Sequence, residues 1–230
     1  MTRPLTAADL DWVLGLIEPR RQQLAEHAPH FWNPAPNARD LHSRFLGDQL
    51  ANPDLVTLRT DHGFVFAGHR GDGFVIDDFL VDADDRWPTD GAALVIDAVG
   101  GRSVRIVCPV HELGRYRLAK DLGLTVAESW WTHDLDPVAG VQAGDGQISV
   151  DGTSGRLLPA PPVYDPGGPV LILSAVASLE SLEAAERRAA AAGSTVAVVP
   201  QRADDLSRAQ LLTSAGYRRT TDYYDGVPLG

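Results

Sequence analysis

One run of elements occurs twice in this chain. Val104-Arg-Ile-Val-Cys-Pro109 and Thr195-Val-Ala-Val-Val-Pro200 are short, mostly apolar runs of strand-forming residues, each closed by a proline. Each leads into a segment with helical spacing, Glu112 to Leu122 and Asp204 to Ala215, and then into a glycine, Gly123 and Gly216, with a further strand behind it. An aromatic pair begins seven residues after each glycine, Trp130-Trp131 in one copy and Tyr223-Tyr224 in the other. The shared order of strand, proline, helix, glycine, strand and aromatic pair predicts an internal repeat, hence two related units. With 230 residues the chain is long enough for two small domains. Asp136 to Gly155, rich in Gly, Asp and Pro, is the natural boundary, which gives domains over residues 1–140 and 146–230.

The rest of the pattern fixes the fold class. Leu10, Val13, Leu14 and Ile17 recur at helical spacing after Thr6, a candidate N-cap, and Pro19 is expected to end or kink that helix, with Arg20 to His27 able to resume it. A second helix is expected from Asn37 to Leu50. The period then changes. Leu55 to Thr60 and Phe64 to Ala67 flank Asp61-His62-Gly63 as a hairpin, and Phe74 to Val81 reads as a third strand. Gly91 to Val99 follows as a helix, so the first half reads ααβββαβαβ, an α/β protein with a mixed sheet. The second half reads as a shorter copy: strand Val170–Val176, helix Leu179–Ala192, strand Thr195–Val199, helix Asp204–Ala215 and strand Tyr217–Tyr224.

Composition narrows the function. No apolar run of about 18 residues and no signal-type N-terminus is present, so a cytoplasmic globular protein is expected, with no membrane partner. A net charge of −11 and the lack of any Lys/Arg cluster longer than a pair argue against nucleic acid, and a cationic ligand suits this balance. Cys108 is the only cysteine, so a disulfide within the chain and a thiolate zinc site are excluded, and no metal is expected. His27-x-x-His30 has no completing ligand in its pattern. His111-Glu112 reads as a helix start.

The segment Ile76-Asp-Asp-Phe-Leu-Val-Asp-Ala-Asp-Asp-Arg-Trp-Pro-Thr-Asp-Gly-Ala92 carries the chemistry. A strand runs into a loop holding Arg86 and Gly91, and the loop opens a helix, so free N–H groups and the positive helix end face outward, as an anion site needs. This loop, within the order ααβββαβαβ, resembles the GNAT acyltransferase superfamily. That family's loop reads [RQ]-x-x-G-x-[GA] and cradles the pyrophosphate of acetyl-CoA. Here Arg86 and Gly91 match and Thr89 replaces the middle glycine. The resemblance implies that Arg86, Trp87, Pro88, Thr89, Asp90, Gly91 and Ala92 form the cradle, and that backbone at Leu80 and Val81 holds the pantetheine arm where this strand splays from its neighbour. Asp82, Asp84, Asp85 and Asp90 crowd that site with like charge.

Ile76-Asp-Asp-Phe-Leu-Val81 is similar to the Leu-Glu-Asp-Phe-Phe-Val run of spermidine/spermine acetyltransferases, in which an acid of the strand acts on the substrate amine. An alkylamine with a pKa of about 10 must lose a proton before its nitrogen attacks a thioester, and Asp77 or Asp78 is the candidate base. Strand alternation turns only one of them toward a cleft. The family's helix tyrosine is absent, its position being Ala119; Tyr116, one turn earlier, is the candidate replacement acid. Phe31-Trp32 is the candidate acceptor wall. The second copy has only Ala177-Ser178 between strand and helix, so it is expected to bind no CoA. The resulting expectation is transfer of an acetyl group from acetyl-CoA to a primary amine of a small molecule or peptide, by a monomer or homodimer. The rivals are a non-catalytic acyl-CoA sensor or interaction module of the same fold, and a protein that keeps the architecture and binds no CoA.

Overall fold

The period changes along the sequence reappear as element boundaries. The computed structural model describes residues 1–137 and 146–229. In chain order its elements are β1 (Arg3–Pro4), α1 (Leu10–His27), α2 (Ala38–Leu50), β2 (Leu55–Arg59), β3 (Gly63–Arg70), β4 (Gly73–Val81), α3 (Ala92–Val99), β5 (Val104–Pro109), α4 (Leu113–Asp121), β6 (Thr125–Asp134), β7 (Gln147–Val150), β8 (Thr153–Leu158), β9 (Val170–Ala175), α5 (Leu179–Ala191), β10 (Val196–Arg202), α6 (Leu206–Ser214) and β11 (Arg218–Gly226). Pro19 lies inside α1 and does not end it. The apolar face continues past it, with Val13, Leu14 and Ile17 buried on one side and Leu24 on the other, and that packing outweighs the lost hydrogen bond.

The chain divides into two units. Unit 1 comprises Met1–Arg20, Arg39–Ala127 and Thr221–Gly230, and unit 2 comprises Arg21–Ala38 and Glu128–Thr220. The chain passes between these units inside α1, at the start of α2, inside β6 and inside β11, so each is built from more than one stretch, beside the contiguous domains expected at 1–140 and 146–230.

In unit 1 the strands run β1, β2, β3, β4, β5 and then Thr221–Gly226 of β11. All neighbours are antiparallel except β4 and β5, which are parallel. One face buries Phe74, Ile76 and Phe79 under Leu94, Val95 and Leu118 of α3 and α4; the other packs Phe64 and Phe66 against Val13, Ile17 and Leu46.

In unit 2 the strands run from Glu128–Asp134 of β6 through β10, β9 and β8 to β7, with β9 and β10 parallel and the rest antiparallel. Helices α5 and α6 cover one face through Leu182, Ala185, Ala189 and Leu212. The repeat is longer than its sequence signal, because β7-β8-β9-α5-β10-α6 follows the same order as β2-β3-β4-α3-β5-α4. Part of the segment expected as a linker, 136–155, is therefore the hairpin β7-β8; residues 138–145 of it lie outside the described residues. Its turn is Asp151-Gly152, both at positive φ (43° and 83°), the conformation that matches the right-handed twist of two paired strands. Each sheet also ends on a strand from the other half of the sequence: β5 pairs with the end of β11, and β10 pairs with β6.

Candidate functional site

Asp77 and Asp78 sit on a β-bulge. In the β3-β4 pairing Val65 opposes Phe79 and Ala67 opposes Ile76, so β4 fits one extra residue into this interval. Ile76 and Phe79 both stay in the α3-α4 core, and simple alternation of the two acids is broken. Asp78 lies 3.5 Å from Nε2 of the buried His42 on α2. Desolvation pushes the Asp78 carboxyl up, but the His42 hydrogen bond and charge, with Arg20 and Arg115, outweigh it and hold the group below the ordinary aspartate value. Solvent reaches Asp77. Enough protein surrounds it that desolvation, followed by the Asp78 charge, raises its carboxyl above the ordinary value against the pull of Arg20 and Arg115. Two adjacent carboxylates thus have environments that push them apart, one kept ionised and one brought toward the range of a working base.

The strands beside this pair diverge. β4 and β5 are paired from Phe74↔Val104 to Ile76↔Ile106 and no further. Beyond that point the guanidinium of Arg115, from α4, lies between them. It donates to the carbonyl of Val107 on β5 at 2.8 Å and to those of Asp77 (3.5 Å) and Phe79 on β4. The side chain is fully buried, with its guanidinium carbon 5.5 Å from the ring centres of both Phe79 and Trp87. Its Nε is 3.0 Å from Glu112, which also binds Arg20. Arg115 and Arg20 hold the Glu112 carboxyl below its ordinary range although burial pushes it up.

The segment after β4 does not remain an open loop. Asp84–Arg86 forms a 3-10 turn and Trp87–Gly91 a π-helical turn that runs directly into α3. The Ala92 N–H points to the carbonyls of Thr89 and Trp87, and the Thr89 hydroxyl to Arg86 and Asp90. The indole of Trp87 is buried 5.0 Å from the Phe79 ring. Two glycines admit it. A Cβ on Gly91 would lie 3.0 Å from the indole, and one on Gly114 would overlap it.

Against known proteins, no family profile matches the chain, nor does any curated protein. Solved structures do match over essentially the whole length. A proposed acetyltransferase from Thermoplasma acidophilum aligns with 99% of this chain and 99% of its own, at 10% identity and a TM-score of 0.60. A GCN5-related N-acetyltransferase from Sphaerobacter thermophilus aligns over 99% and 95%, at 11% identity and 0.57. A GNAT-family acetyltransferase from Colwellia psychrerythraea aligns over 100% of both chains, at 10% identity and 0.51. The chain has the GNAT fold.

The residues expected from the GNAT resemblance have these surroundings. Gly91 gives room to Trp87, so the close approach it allows is made by the protein itself. Arg86, Pro88 and Thr89 are exposed, Asp90 and Ala92 are half-buried, and the Ala92 N–H expected for an anion is turned into the helix. Leu80 and Val81 pair with Phe64 and Gly63 of β3, and their side chains pack in the core. Tyr116 is half-buried. Its ring meets Tyr224 at 5.9 Å and its hydroxyl accepts from Lys120, about 100° around α4 from Arg115. Phe31 and Trp32 belong to unit 2, where Trp32 is buried on Leu24 and Ala28 and the Phe31 ring lies 5.4 Å from Trp32 and 6.4 Å from Trp130. They form part of that unit's packing. Cys108 is buried, and desolvation pushes its thiol up to about 12.

Arg115 and Glu112 are the functional candidates that the sequence reading missed. The signal was available, because both copies of the repeat open their helix with an acid followed three residues later by arginine, Glu112/Arg115 and Asp205/Arg208. Among the described residues no group of His, Cys, Asp and Glu is placed to hold a metal ion, and no helix is long and apolar enough to cross a membrane.

Proposed function

We propose that unit 1 is an N-acyltransferase unit acting on a primary amine, with Asp77 as the base and acetyl-CoA as the donor class. The observation that carries this is the divergent pair on the bulge: Asp77 raised and reachable by solvent, Asp78 ionised and tied to His42. A cationic amine is drawn by the two carboxylates, and an Asp77 carboxylate with a raised pKa accepts its proton more readily than an ordinary aspartate does. Asp78 keeps its charge throughout and holds the amine in place. The donor supplies the thioester. In the arrangement described, the gap between β4 and β5 does not fit it, since Arg115 and Trp87 fill that region.

The test is thiol release from acetyl-CoA over a panel of amines. Asp77→Asn lowers kcat by about 100-fold or more, while Asp78→Asn acts mainly on KM for the amine. The base must be ionised to act, so kcat/KM rises with pH along a limb above the ordinary aspartate range, and this limb vanishes in Asp77→Asn. An active protein indifferent to Asp77→Asn would rule out the assignment.

A second reading is favoured by the wound segment 84–91 and the buried Trp87, namely a unit that keeps the fold without catalysis. Thermal unfolding separates the two, because a protein that binds acetyl-CoA gains stability as ligand is added.

A further inference from the structure

We propose that unit 2 carries a binding site of its own, on the sheet face opposite α5 and α6, for a small organic oxyanion with a carboxylate or phosphate head on a short apolar body. The site lies within one unit and is independent of the acyl-transfer reading. Along β8, Leu157 packs in the core under α5 and α6, so its neighbours Arg156 and Leu158 stand on the opposite face. The counterpart of β8 in unit 1 is β3, whose corresponding face carries Phe64 and Phe66 and is covered by α1 and α2. In unit 2 the face carries Arg156 and serine hydroxyls instead, and it forms a hollow of about 480 Å³. A guanidinium and hydroxyls do not seat an apolar helix, because covering them removes water without supplying partners. They suit a small polar ligand.

The groups in the hollow are sorted by character. Gln147 on β7 and Ile172 on β9 lie directly across from Arg156 on its two sides. Toward one end of β8 comes Ser154, opposite Ser149 and with its hydroxyl 3.4 Å from that of Ser174. Toward the other end comes Leu158, 40% exposed. An anionic head on Arg156 therefore has hydroxyl and amide donors at one end, and an apolar body attached to it covers Ile172 and Leu158.

The guanidinium makes the hollow a site. Arg187, Arg202, Arg208 and Arg218 of the same unit each pair with a carboxylate. Among the described residues Arg156 has no hydrogen bond, ion pair or ring contact, although the chain holds 31 acidic residues to 20 Lys and Arg. Its planar fork of donors is left open, and that fork matches two oxygens of a carboxylate or phosphate. Arg188 adds positive charge at the edge of the sheet, where it donates to the Ser149 carbonyl at 2.7 Å.

Calorimetric titration of the full chain with hexanoate, hexyl phosphate and inorganic phosphate, at constant ionic strength, tests this. Hexanoate or hexyl phosphate is expected to saturate the protein at millimolar concentration, and the tighter of the two identifies the head group. Arg156→Gln is expected to weaken that binding by about tenfold or more, and the side chain is exposed and unpaired, so the fold is kept. Leu158→Ser weakens the tailed anions and leaves inorganic phosphate unchanged. Arg187→Gln removes the same charge outside the hollow and leaves binding unchanged. No saturation by any of the three anions, or equal losses in Arg156→Gln and Arg187→Gln, overturns the site. Inorganic phosphate bound as tightly as hexyl phosphate overturns the proposed ligand.

Discussion

Units 1 and 2 share a run of six elements and a defect in it, yet only one of them carries a pair of acids there. Both have a bulge just after the parallel pairing, at Asp77-Asp78 in β4 and at Ser174 in β9, where Ser154 opposes Ala175 and Gly155 opposes Leu173. The bulge is therefore a property of the repeat. In unit 1 it displays two acids; in unit 2 the neighbouring Leu173 is buried in the core and Ser174 bonds to Ser154. The segment that follows differs as well. Ten residues separate Val81 from α3, whereas only three separate Ala175 from α5, which is closed by its own Ser178, whose hydroxyl accepts from the Ser181 N–H at 3.2 Å. A helix start capped in this way has turned one of its free donors inward. The same architecture thus holds a candidate acyl-transfer site or none, according to which residues the bulge presents and what covers the helix end.

The arginines offer the sharpest way to break this comparison. Arg115→Met removes a buried donor from three carbonyls and leaves Glu112 short of a partner, so a loss of about 3–5 kcal/mol is expected in chemical denaturation. Arg208→Met removes a partly exposed pair and is expected to cost about 0–1 kcal/mol. Equal costs would show that the two positions are energetically alike and that burial of Arg115 has no special role.

A smaller effect separates the units by pH. Asp9 in unit 1 accepts from the Thr6 N–H at 2.9 Å and from Arg59 at 2.6 Å, with Arg3 beside it, and the Arg59 guanidinium stacks 3.9 Å over Trp12. Desolvation pushes the carboxyl up, but Thr6, Arg59 and Arg3 together hold it well below the ordinary range. A depressed folded-state pKa contributes stability above the unfolded value of about 4 and loses it as pH falls below that. On the order of 2 kcal/mol should disappear between neutral pH and strongly acidic solution in the unmodified protein, and Asp9→Asn should be less stable at pH 7 and lose correspondingly less. Denaturant midpoints across pH for the two proteins check this; parallel curves would mean the clasp is not coupled to folding. The smallest effect belongs to unit 2, where Ser178→Ala is expected to cost about 1 kcal/mol through the lost cap.

Much of the fold is legible in the sequence. The change from helical to strand period after Leu50, the Gly-bearing hairpin at 61–63 and the doubled strand-helix-strand order are all local signals. The two acids were legible too, since carboxylates in an apolar strand stand out. Other features left no local trace. The Asp151-Gly152 hairpin looks like a linker in sequence because its glycine and acid are common to turns and linkers alike, although the alternating Gln147 to Val150 beside it points to a strand. The segment 84–91 has the residues of an anion loop, and its winding into a helical turn depends on Gly114, on a different element, making room for Trp87. Tyr116, Phe31 and Trp32 are the hardest residues to place from sequence, because an aromatic side chain packs as readily in a core as it lines a cleft.

By itself the sequence determined the element order, the repeat and the presence of two carboxylates in one strand, because these depend on the spacing of residues within a single segment. The tertiary structure alone decided which strand completes which sheet, that Asp77 and Asp78 share a bulge and so differ in environment, and that Arg115 fills the gap beside them. Each of these depends on which groups from distant segments meet: β5 receives the end of β11, and the carbonyls of two parting strands are met by a guanidinium from α4. Pairing register and the need of buried carbonyls for donors are set by partners, and partners are not written in local spacing.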